Sequence, residues 1–179
     1  MNWNYCKSNG IKGIECINKD TNKYVLRLNP VKLKETKDIE SPTLKYLQIY
    51  VNHEPTLLNL KKILISLQRE YDSSTAINTF IVNGIPAWFD KATRVGLVNS
   101  INFKKLNGES AIKLWLGTKN ITIDIDKALK LFAAIEDYAF KCYNVTKVHL
   151  KEIEELATIE DALRYDITKD YPNPINLTI

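Results

Sequence analysis

Asn83-Gly84 constrains the fold of this chain more than any other pair of residues in it. It stands between Phe80-Ile81-Val82 and Ile85-Pro86-Ala87. A two-residue reversal between strands needs positive φ at both turn positions, which Asn and Gly tolerate and most residues do not. A tight hairpin is therefore predicted at mid-chain. Pro86 has no N–H to give to a ladder, so its strand must be an edge or carry a bulge.

The pattern after that hairpin alternates helix and hairpin. Asp90 is placed to cap a helix through Val95, Val98, Ile101 and Leu106, which Asn107-Gly108 ends. Ala111 to Leu116 and Ile121 to Ile125 then flank Gly117-Thr118-Lys119-Asn120, with Ile121, Ile123 and Ile125 on one face. Asp126 reads as the cap of a long helix carrying Leu129, Phe132, Ile135, Tyr138, Cys142 and Val148, running to about Leu156. Asp124 beside it offers a second capping carboxylate. Thr158 opens a short last helix, and Pro172 and Pro174 keep the end extended. Residues 74–126 thus look like a duplicated hairpin-helix unit in architecture, but the copies share no residues beyond the cap.

Upstream the chain reads as β. Ile11 to Ile17 and Tyr24 to Leu28 flank a polar turn-forming stretch, and Asn29-Pro30 is expected to end the second strand. A charged linker from Lys32 to Pro42 follows, then a strand from Leu44 to Val51. At Thr56 the period changes: Leu57, Leu60, Ile63, Leu64, Leu67 and Tyr71 recur at three- and four-residue steps, with Thr56 as N-cap. The expected fold is α+β. A small antiparallel β module (residues 1–55) precedes a hairpin-and-helix domain with a long central helix (residues 56–179).

At 179 residues with 45% apolar content, the chain can bury a core without disulfides or metal. No run approaches the roughly 18 apolar residues of a membrane-spanning helix, and the first residues lack the basic-then-apolar pattern of a signal peptide. The expectation is a protein made in a cytoplasm, with no membrane partner. Cys6, Cys16 and Cys142 are odd in number with no CxxC pair, so free thiols are expected, Cys6 and Cys16 being disulfide partners only if their strands pair. The net charge is +4. Its surplus lies in residues 1–80, with 12 Lys/Arg against 8 Asp/Glu, while residues 81–179 hold 13 of each. Acidic residues interrupt the basic ones, as in Lys34-Glu35-Thr36-Lys37-Asp38, so a nucleic-acid partner is not expected.

The motifs of common chemistries are missing. His53 and His149 stand far apart with no companion ligand, and structural roles are expected for both. There is no GxxxxGK[ST], GxGxxG or GxSxG. Cys142 lies within a helix beside aromatics, the setting of an inert thiol. Glu152, Glu154 and Glu155 stand among lysines, where helix pairing accounts for them. No catalytic residue, cofactor or metal is therefore expected. Trp88 and Trp115 are read as core or interface anchors. Tyr171, Pro172 and Pro174 form an extended end able to add to a neighbour's sheet edge.

Four blocks carry a resemblance. They are Phe80 through Trp88-Phe89-Asp90 to Arg94, Leu114-Trp115-Leu116-Gly117, Ala128-Leu129-Lys130 through Cys142-Tyr143-Asn144-Val145-Thr146 to His149, and Thr158-Ile159-Glu160-Asp161 with Tyr165-Asp166 and Tyr171-Pro172. Together, over residues 77–179, the chain resembles an uncharacterised domain family of tailed bacteriophages and prophages associated with fibre proteins. Tyr5-Cys6-Lys7-Ser8-Asn9-Gly10-Ile11 and Gly13-Ile14-Glu15-Cys16 resemble proteins of phages of gut Bacteroidales, crAss-like phages among them. The resemblance implies a phage context. In that context a chain with no catalytic constellation, several aromatics and a proline-rich extended end is expected to be a non-enzymatic structural component of a virion, on or near a fibre of capsid or tail, and a homo-oligomer whose partners are other virion proteins. Virion parts bury apolar patches against identical copies, so self-association, partner contact by the extended end and an interfacial Trp88 or Trp115 are expected. The alternatives are a tail-fibre assembly chaperone absent from the mature particle, and a small enzyme.

Overall fold

The computed structural model describes residues 3–8, 13–32 and 44–178. The described chain is α+β and divides into two compact units. One comprises residues 1–68 and 148–169, the other residues 69–147 and 170–179. This differs from the expected division at residue 55, because a sheet with an apolar face needs a cover. Helix α1 (Leu57–Asp72) supplies Leu60, Ile63, Leu64 and Leu67 against Leu26, Leu28, Leu47 and Ile49 of the sheet. Ile153 and Ala162, from far along the sequence, complete that core.

The first unit is built on β1 (Trp3–Ser8), β2 (Ile14–Asn18), β3 (Lys23–Lys32) and β4 (Leu44–Val51), in the order β1-β4-β3-β2, all antiparallel. Strand β1 was not anticipated, since Trp3-Asn4-Tyr5 alone is too short an alternation to count. Strand β3 does not stop at Asn29-Pro30. The register steps from Leu28↔Leu47 to Val31↔Lys45, so one extra residue bulges out, and Asn29 takes φ 46° there. The bulge takes the proline out of the ladder, and pairing resumes beyond it. Beyond Lys32, the charged linker lies outside the described residues. β1 and β2 occupy opposite edges of the sheet, which excludes the pairing of the Cys6 and Cys16 strands. Two intervening strands separate them by roughly 14 Å, beyond disulfide reach. Thr56 caps α1, its Oγ1 accepting from Asn59 N at 3.2 Å. Helix α4 (Ile159–Arg164) is capped by Thr158 and comes so close to the start of β2 that a Cβ on Gly13 would lie 2.6 Å from Leu163 Cδ1.

In the second unit the Asn-Gly hairpin is β5 (Phe80–Val82) and β6 (Ile85–Ala87), with φ 48° at Asn83 and 76° at Gly84. Pro86 lies on the edge strand. Helix α2 (Lys91–Leu106) starts at Asp90, whose carboxylate accepts from Thr93 N at 2.7 Å, and ends at Asn107. The hairpin of β7 (Ala111–Leu116) and β8 (Lys119–Asp124) leads into α3 (Ile125–Glu155). The α3 cap is Asp124 rather than Asp126. Asp124 Oδ1 accepts from the N–H groups of Asp126 (2.9 Å) and Lys127 (3.1 Å), while the Asp126 carboxylate turns to Lys105 Nζ at 2.6 Å. Phe80, Val82, Leu114, Leu116, Phe132 and Ile135 form the centre of this core.

Candidate functional site

Trp88, Tyr171 and the buried side chains of Ile77, Tyr138 and Cys142 belong to one cluster. Trp88 is half-buried, its ring 6.3 Å from Phe80 and 5.3 Å from the guanidinium of Arg94. Tyr171 is half-buried, meets Tyr71 edge to face at 5.3 Å, and places its hydroxyl 2.6 Å from Thr146 Oγ1. Pro172 is half-buried and Pro174 exposed. The extended end adds to a sheet edge of its own chain. Strand β9 (Asn176–Leu177) runs parallel to β5, with Ile81 N and Asn83 N donating to the carbonyls of Ile175 and Leu177 at 2.9 Å. Trp115 stands apart on the outer face of β7, 59% exposed.

A line of polar groups follows α3 through this cluster. The Tyr138 hydroxyl donates to Ile77 O at 2.7 Å, and Thr146 Oγ1 lies 2.5 Å from Asp72 Oδ1. A recess of about 280 Å³ beside them is lined by Asp72, Trp88, Lys91, Arg94, Cys142 and Tyr143, among others. Burial raises the pKa of Tyr138, Cys142 and Tyr171, which keeps all three protonated at neutral pH. A buried neutral thiol is a poor nucleophile. Among the described residues no group of three His, Cys, Asp or Glu side chains converges as a metal site, and no helix is long and apolar enough to cross a membrane.

In the first unit His149 is buried and bridges two elements. One ring nitrogen lies 2.7 Å from the Tyr165 hydroxyl and the other 2.9 Å from Lys169 O. Tyr165 in turn donates to Glu152 Oε2 at 2.7 Å, and Lys169 Nζ sits 2.8 Å from the same oxygen. The ammonium and the hydroxyl hold the Glu152 carboxyl below the usual carboxylate range. This network ties the segment after α4 to α3. His53 is exposed on the loop before α1, beside Glu54 O.

A surface the sequence reading did not single out lies between α2 and α3. The Arg94–Glu136 pair (2.7 Å) and the Lys105–Asp126 pair (2.6 Å) set the helices antiparallel. Near the first pair they leave a groove of about 380 Å³, with Val95, Val98, Leu129, Phe132 and Ala133 among its lining residues. Toward the second pair, Phe103 and Leu106 project from α2, 64% and 86% exposed. The signal was present in the spacing. At 100° per residue, Val95 and Leu106 fall roughly 120–140° around the helix from buried Ile101, so one apolar face cannot hold all three. Compared with known protein families, with curated proteins and with solved structures, the chain matches none.

Proposed function

We propose that the chain is a structural, non-enzymatic component of a tailed-bacteriophage particle, fibre-associated or fibre-forming on capsid or tail, that works by oligomerisation and docking. The resemblance over residues 77–179 supplies the phage context. The observation that carries the docking role is the set of large apolar side chains left in water on the helices of the second unit: Phe103, Leu106 and Phe140. Large apolar side chains exposed in number on a monomer are usually retained for a partner.

The test is quantitative mass spectrometry of purified particles of the source phage, with this chain's copy number set against the major capsid protein. A fixed ratio in a symmetric multiple is expected. Absence from clean particles, with abundance in infected-cell lysate, refutes the reading and points to an assembly chaperone.

A further inference from the structure

We infer that the α2–α3 groove, together with the projecting end of α2, is a self-association surface, and that its occupant is a second copy of this chain across a two-fold axis. This deepens the proposed function and rests on it, since it names the partner and the face.

The groove and the projections lie at opposite ends of one helix pair. The recess is at the Arg94–Glu136 end, and Phe103 and Leu106 stand at the Lys105–Asp126 end. Val95 and Leu106 are roughly 16 Å apart along the helix at 1.5 Å per residue. A two-fold axis between the two ends reverses the second copy, so each projection meets the other copy's recess, and this happens twice. That is the self-complementarity an isologous dimer requires. Size agrees: a cavity of about 150 Å³ takes a benzene ring, so a groove of about 380 Å³ admits a Phe and a Leu side chain.

Charge agrees as well. Helix α2 carries Lys91, Arg94, Lys104 and Lys105 and no acidic residue. At the recess end α3 presents Glu136 and Asp137, 53% and 62% exposed. The same reversal brings Lys105 of one copy toward the carboxylates of the other. Lys105 is paired with Asp126 and Asp137 with Lys141, both pairs half-exposed or more, so re-pairing costs little. Area is the third argument. Exposed portions of Val95, Phe103, Leu106 and Phe140 amount to something on the order of 400 Å². A standard interface hides about 800 Å² per partner, a little over half of it apolar.

The experiment is sedimentation velocity on the full chain at concentrations up to about 200 µM, comparing wild type with Leu106→Glu and Trp115→Glu. Both side chains are largely exposed, and circular dichroism checks each fold. A wild-type dimer is expected, weakened about tenfold or more by Leu106→Glu and unchanged by Trp115→Glu. A dimer insensitive to Leu106→Glu, or one that only Trp115→Glu dissociates, overturns this surface while leaving the virion reading intact. A wild type that stays monomeric overturns the second copy as occupant, and the particle copy number then judges the broader reading separately.

Discussion

Arg94 offers the sharpest test of how the second unit is held together. It is 94% buried on α2, an unusual place for a guanidinium, and three contacts keep it there. Nη1 donates to Phe89 O at 2.7 Å, Nε donates to Glu136 Oε2 at 2.7 Å, and the guanidinium lies 5.3 Å from the centroid of the Trp88 ring. A charged hydrogen bond to a carbonyl contributes about 1.5–3 kcal/mol, and a cation–π contact about 0.5–1. Glu136 is half-exposed, so its ion pair adds at most about 1 kcal/mol after solvent screening. Arg94→Ala should therefore cost about 3 kcal/mol. Arg94→Lys should cost about half of that, because an ammonium cannot copy the fork that serves carbonyl and carboxylate together. Glu136→Gln should cost less than 1 kcal/mol. The assay is urea unfolding followed by Trp88 fluorescence in a Trp3→Phe, Trp115→Phe background, which reports the unit that contains Arg94. If Glu136→Gln costs as much as Arg94→Ala, the ion pair dominates and the weight placed on the Phe89 carbonyl is wrong. A lysine that substitutes without loss also refutes the fork.

Three further outcomes concern the α3 cap and the cysteines. Asp124→Ala should lower stability by about 1 kcal/mol through loss of the α3 cap, whereas Asp126→Ala should leave the helix start intact in thermal melts, since its carboxylate faces Lys105 in solvent. In a Cys6→Ser background, thiol labelling should modify exposed Cys16 rapidly and Cys142 only after unfolding. Burial raises the Cys142 pKa by disfavouring the thiolate, so the neutral thiol's contribution is fully present below the ordinary thiol range. That contribution is lost as pH rises through the folded value, and Cys142→Ala should flatten the alkaline arm of the stability curve.

Local chemistry was legible where one residue type decides the geometry. Asn83-Gly84, Thr56, Asp90, Thr158 and Asn107-Gly108 each do in the structure what their side chains or φ preferences require. The misreadings share a cause, which is that the deciding atom lay elsewhere. Asp126 looked like a cap until Lys105, distant in sequence, took its carboxylate. Pro30 looked like a strand end because the bulge at Asn29 depends on the register with β4. That the extended end pairs with β5 of its own chain was hidden for the same reason, because the open side of β5 does not exist in one dimension. For the α2–α3 groove, helical periodicity located the apolar residues, but which of them the core leaves uncovered depends on where α3 crosses.

The division into two units is the feature that sequence periodicity hides most thoroughly, and yet it leaves a chemical mark. The buried stripe of α3 runs unbroken at three- and four-residue steps through Ala128, Leu131, Ile135, Tyr138, Cys142, Thr146, His149 and Ile153. A period count sees one continuous face. The chain nevertheless passes from one unit to the other between Lys147 and Val148, and in α1 between Gln68 and Arg69. The buried polar residues of the described chain are Gln68, Arg94, Thr146 and His149, and all but Arg94 stand within two residues of those crossings. Deep inside an apolar core such groups carry a desolvation cost, so a stripe that turns polar in mid-helix is the expected sign of one core ending and another beginning. Residue identity along the stripe, rather than its period, is where the boundary could have been read.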